Sequence, residues 1–119
     1  MTEFTCKGEW LGTNRASMTV AGEVDLATAH QCHGVLDDLS TQASIHHLII
    51  DLSDCTFIDS TGLSLLVAAQ RQVTSRLAVV APHSQVRRTL TVAGLDTVFV
   101  VHMTTAEALA GLEEAGQPS

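Results

Sequence analysis

Asp59-Ser60-Thr61-Gly62 sets a carboxylate, two hydroxyls and a residue without a Cβ in consecutive positions. At a helix N-terminus such hydroxyls meet backbone N–H groups with no intrahelical partner and the positive end of the helix dipole. Ser60 or Thr61 can then serve as a plain N-cap, a role worth about 1 kcal/mol. The same N–H groups can hold phosphate oxygens, so capping is compatible with Ser60 being a phosphoacceptor. A phosphoryl group there adds a charge of about −1.5 to −2 beside Asp59. That charge would repel an acidic partner or break a tight interface. Asp25, at the end of Gly22-Glu23-Val24-Asp25, is a second carboxylate expected close to Ser60.

Other chemistries are poorly supplied. Catalysis needs a nucleophile with a base, or paired groups in a pocket. No histidine is placed predictably beside Asp25, Asp59 and Ser60, and Ser60-Thr61-Gly62 lacks the Gly-x-Ser-x-Gly elbow of hydrolases. The six histidines, His30, His33, His46, His47, His83 and His102, are scattered. His30 and His33 could face one metal from a helix, but their acidic neighbours lack metal-site spacing. The glycines build no nucleotide loop. No catalytic residue, metal or cofactor is therefore expected. Cys6, Cys32 and Cys55 are odd in number and widely spaced. They read as free thiols of a reducing compartment rather than a disulfide framework.

The elements that must hold the corner can be read around it. Leu48, Ile49, Ile50 and Leu52 form an apolar run broken by Asp51, the pattern of a strand buried on both faces. The chain is expected to turn after Asp54 and touch the core again through Phe57 and Ile58. Leu63, Leu66, Val67, Gln70 and Val73 then recur at helical spacing. Upstream, Phe4–Trp10 and Ala16–Gly22 read as a hairpin turning at Gly12-Thr13-Asn14. Trp10 is ambiguous between core, lid and interface anchor. From Leu26 the period changes, and Leu26, Ala29, His33, Leu36 and Leu39 describe a helix face with Asp25 as N-cap. Ser40–Ser44 reads as a linker. Downstream, Leu77–Ala81 is a strand stopped by Pro82. Ser84 caps a helix with inner residues Val86, Leu90 and Ala93, closed by Gly94. Val98–Val101 is a last strand. Thr104 and Glu107 form a capping box before a helix facing inward through Ala108, Leu109 and Leu112, and Gly116–Ser119 reads as a frayed tail. The order β-β-α-β-α-β-α-β-α predicts an α/β fold: a mixed, largely parallel sheet with an N-terminal β-hairpin and covering helices.

Composition narrows the partners. At 119 residues, 45% of them apolar and 16% charged, the chain reads as a single domain over residues 1–119 with a proper core. The net charge of −7 and the single basic pair Arg87-Arg88 make nucleic acid and anionic membrane poor partners. The N-terminus lacks the pattern of a signal peptide, and no apolar stretch approaches the roughly 20 residues of a membrane span. A soluble cytoplasmic location is the expectation.

GEVDLATA, IIDLSDCTFIDSTGLSLL and the later Ala93-Gly94-Leu95-Asp96 followed by Val98-Phe99 together resemble the signatures of the STAS domain family. Within it, the chain resembles the stand-alone anti-sigma-factor antagonists of bacteria. The resemblance spans roughly Phe4 to Leu112. It implies a partner switch in which Ser60 is phosphorylated by a cognate anti-sigma factor with serine kinase activity. The unphosphorylated form would bind that kinase and free the sigma factor, phosphorylation would end binding, and a phosphoserine phosphatase would reset the chain. By the same resemblance, Asp25 engages the kinase and Asp59 shapes the phosphoacceptor corner. Thr61 supports the helix start or is a secondary target, and Gly62 permits close approach. The family often has Gly one residue beyond the Leu of the second signature, where this chain has Ser64. The rival expectation is a constitutive scaffold or ligand-sensing domain using the same surface without phosphate turnover.

Overall fold

A computed structural model describes residues 3–116, and the side chains of residues 3–112. The elements follow the expected order: β1 (Thr5–Gly12), β2 (Arg15–Val24), α1 (Ala29–Gln42), β3 (His47–Ile58), α2 (Ser60–Arg71), β4 (Ala78–Val80), α3 (Ser84–Val92), β5 (Val100–His102) and α4 (Thr105–Gly116). A single 3-10 turn, Leu95–Thr97, fills part of the stretch before β5. The five strands lie in sequence order across one sheet. β1 pairs antiparallel with β2, and every later neighbour is parallel. The hairpin turns with Asn14 at φ 60°, a left-handed conformation that asparagine tolerates.

Alternation decides which side each strand buries. In β2, Ala16, Met18, Val20, Gly22 and Val24 face inward while their neighbours do not. Leu48, Ile50 and Leu52 of β3 join the main core with the inner residues of α1, α2 and α3, whereas Ile49 packs on the other face with Ala78 and Val80 of β4 and Ala108 and Leu112 of α4. Both faces are thus covered, which explains the nearly unbroken apolar run in β3. Asp51, the break in that run, accepts from Ser53 N–H at 2.9 Å and from Thr105 Oγ1 at 3.2 Å, at the start of α4. Trp10 packs against the core, and its Nε1 donates to Gln42 Oε1 at 2.8 Å, tying β1 to the end of α1.

Several expectations fail, each for a local reason. The chain does not turn after Asp54: β3 continues to Ile58, and its register against β2 slips between Asp51 and Asp54 and again between Cys55 and Phe57. The second slip leaves Thr56 and Phe57 both facing out, so Phe57 is 39% exposed and only Ile58 returns to the core. Leu26 belongs to a turn before α1 and is 81% exposed; Ala29, Cys32, Leu36 and Leu39 form the inner face. α1 also runs through Thr41 and Gln42, shortening the expected linker. The buried face of α2 is Gly62, Leu65, Leu66 and Ala69, with Leu63 and Val67 at its margin. His83, not Ser84, occupies the N-cap of α3, and its side chain makes no capping bond. Ala93 is exposed, and Gly94 closes α3 at φ 75° as expected. Thr104 Oγ1 accepts from Glu107 N–H at 3.1 Å, the first half of the expected box, but Glu107 Oε2 accepts from Met103 N–H at 3.0 Å and not from Thr104 N–H, so the return bond is displaced by one residue. Leu109 is 40% exposed, and among the described side chains of α4 the buried ones are Ala108 and Leu112. Gly116 ends α4, and the rest of the expected tail lies outside the described residues.

Candidate functional site

The site arises where two parallel strands end together. Val24 of β2 pairs with Ile58 of β3, and Asp59 N–H donates to the Val24 carbonyl at 3.2 Å. Asp25 and Asp59 are the next residues on each strand, so the ladder carries the two carboxylates to the same carboxyl-terminal edge of the sheet. Such edges are where ligands and partners collect in α/β folds.

Each carboxylate secures its own corner. Asp25 Oδ1 accepts from Ala27 N–H at 2.9 Å and Thr28 N–H at 3.2 Å. Thr28 Oγ1 in turn accepts from Asp25 N–H at 3.0 Å and donates to the Glu23 carbonyl at 2.7 Å. Asp25 is therefore the anchor of a polar turn, and Thr28, not Asp25, is the residue from which α1 springs. Asp59 is the true N-cap of α2: its Oδ1 accepts from Thr61 N–H at 2.9 Å and Gly62 N–H at 3.2 Å.

Ser60 is consequently released from capping. It is the first residue of α2 and is exposed; its carbonyl accepts from Ser64 Oγ at 3.0 Å, while its hydroxyl has no hydrogen-bond partner among the described residues. Two first-turn N–H groups that a phosphate could use are already held by Asp59. Thr61 is half-buried next to Ser60.

At Gly62 the missing Cβ permits a close approach within the fold itself. The residue is buried, and a Cβ there would overlap the Ile58 side chain and stand 2.9 Å from Val24 Cγ1. The glycine lets α2 settle directly on the two strand ends that carry Asp25 and Asp59. Apolar groups missed as surface features surround the corner. Leu26 is exposed on the Asp25 turn, and Leu63, Val67, Ala93 and Leu95 line a shallow groove between α2 and the end of α3. Leu26 could have been found from Asp25-Leu26-Ala27-Thr28, where an Asx turn leaves the second residue facing water. The groove carried no sequence signal, because its residues come from two helices whose packing only the fold defines. Among the described residues, no group of three or more His, Cys, Asp or Glu side chains is arranged to hold a metal.

The model for the family described as "STAS domain" matches residues 13–108, which includes both corners and α2. The chain belongs to the STAS domain family. Among STAS proteins it is 32% identical over 99 residues to an anti-sigma-F factor antagonist, RsfB, of Mycobacterium tuberculosis, covering 82% of this chain and 80% of that one. The crystal structure of an anti-sigma factor antagonist from Mycobacterium paratuberculosis superposes with a TM-score of 0.80 at 26% identity, covering 95% of each chain. SpoIIAA in its unphosphorylated form shares the STAS fold with a TM-score of 0.70 at 18% identity, over 97% of this chain and all of that one.

Proposed function

We propose that this STAS domain is an anti-sigma-factor antagonist controlled by phosphorylation of Ser60. The unphosphorylated chain binds a cognate anti-sigma factor with serine kinase activity and thereby frees a sigma factor. Phosphorylated Ser60 ends that binding, and a phosphoserine phosphatase restores it. The observation that carries this reading is the division of labour at the start of α2, where Asp59 caps the helix and Ser60 is left exposed with a free hydroxyl. The proposed partner surface is formed by Asp25, Asp59, Ser60 and Thr61, with Gly62 shaping it from below. The descriptions of the mycobacterial relatives as anti-sigma factor antagonists support the same assignment.

Charge and desolvation supply the switch. A partner covering this corner must dehydrate Ser60 and sit against two carboxylates whose hydrogen bonds hold them in place. Adding a dianion costs far more under such a cover than in water, where it is solvated and screened. The negative charge also lies next to Asp59, so it cannot be offset locally without a new cation from the partner. The test is incubation with the cognate anti-sigma factor and ATP, followed by intact mass and peptide mapping. One phosphoryl group on the Ser60 peptide, absent in Ser60→Ala, is the expected result. Stable binding without any phosphate incorporation would instead identify a constitutive scaffold.

A further inference from the structure

The seam between β1 and α1 brings two thiols together. Strand and helix run in the same direction, with Trp10 bonded to Gln42 at one end. In the middle, a Cβ on Gly8 would stand 2.9 Å from Val35 Cγ1 and 3.1 Å from Leu39 Cδ1, so the missing side chain lets the two elements close up. Cys6, Gly8 and Trp10 alternate onto the same face of β1. Stepping from Gly8 back to Cys6 covers roughly 6.6 Å at a strand's rise. Stepping from between Val35 and Leu39 back to Cys32 covers about 7.5 Å at a helix's rise. Cys32, fully buried on the inner face of α1, thus arrives level with Cys6, which is half-buried.

We propose that Cys6 and Cys32 are a reversible disulfide site that ties the edge strand to the helix leaving the Asp25 corner. The two thiols are unequal. A hydrogen bond from Cys32 stabilises the Cys6 thiolate and lowers the Cys6 pKa against the opposing effect of burial. The same hydrogen bond, then burial and the neighbouring thiols, push Cys32 up, so it stays protonated. Cys6 is therefore the attacking sulfur. Its thiolate attacks a small-molecule disulfide, forming a mixed disulfide and expelling one thiolate. Cys32 Sγ then attacks Cys6 Sγ, expelling the second thiolate, which takes up the Cys32 proton. Two protein thiols are oxidised to one disulfide, and the reagent takes up the two electrons as a pair of thiols. Cys55 is buried with its thiol donating to the Phe57 carbonyl at 3.3 Å, and burial pushes it up, which leaves it outside the exchange.

The test uses the native full chain and oxidised glutathione. Intact mass should fall by two hydrogens, with a non-reducing digest joining the Cys6 and Cys32 peptides and dithiothreitol reversing the change. Cys55→Ser should keep the cross-link. Cys6→Ser, made at a half-buried position that opens no core cavity, should abolish it. A lasting glutathione adduct on Cys6, a link to Cys55, or a native chain with no reactive thiol would each overturn the proposal. The cross-link needs no partner protein, so its outcome is independent of the partner-switch reading.

Discussion

At the scale of single residues, Asp59 and Ser60 split two tasks that one hydroxyl could have combined. Asp59 holds Thr61 and Gly62 N–H, and the Ser60 side chain makes no hydrogen bond among the described residues. Asp59→Ala should therefore cost about 1 kcal/mol in denaturant unfolding, whereas Ser60→Ala should stay within about 0.5 kcal/mol of the parent. Equal losses in the two variants would show that Ser60 shares the cap. Leu26 offers the complementary case of a residue with nothing to stabilise in the isolated chain, being 81% exposed. Leu26→Ala should leave unfolding unchanged and weaken anti-sigma-factor binding by roughly 1 kcal/mol, as removal of a buried interface anchor does; titration calorimetry distinguishes this from an inert surface leucine.

At the scale of elements, the decisive contact is α2 resting on the ends of β2 and β3 through Gly62. Gly62→Ala forces a methyl against Ile58 and Val24 and should destabilise by about 1–3 kcal/mol. A neutral effect on the unfolding midpoint would mean that α2 can lift off the sheet without cost. The same contact shows why the phase of α2 was hard to read. Leu63, Leu65, Leu66, Val67, Ala68 and Ala69 are apolar almost all round the helix, so periodicity offers several inner faces and the glycine selects one. The order of elements along the chain and both carboxylate corners were legible because the apolar runs are long and polar residues interrupt them at the right places. The misreadings fall where one residue changes the register. Leu26 lies three positions before Ala29 and mimics helical spacing although Asp25 and Thr28 hold it in a turn. Phe57 is turned outward by a slip in pairing that no propensity announces. Whether Ser60 or Thr61 caps α2 was open in the sequence, and the bonds made by Asp59 assign the cap to neither.

At the scale of the whole molecule, the two ends of the sheet are built differently. Asn14, Ser44, His46, His47 and Ser75 bind one another's backbones opposite the Ser60 edge. There His47 is lowered below its ordinary value by burial, then by Arg15 and His46, so the folded chain resists its protonation. The unfolded chain binds that proton more readily, and stability must fall as pH drops from about 6.5 through the depressed folded value. Replacing His47 with Gln should flatten this part of the stability profile, measured by denaturant midpoints across that window; an unchanged slope would assign the dependence to other groups. The proposed switch at the Ser60 edge acts through phosphate. The most direct test is therefore the affinity of the cognate anti-sigma factor for the unmodified chain and for the same chain phosphorylated only on Ser60, measured at one ionic strength. The switch predicts binding weaker by at least about tenfold, or roughly 1.4 kcal/mol, in the phosphorylated form. Equal affinities for the two forms would contradict it.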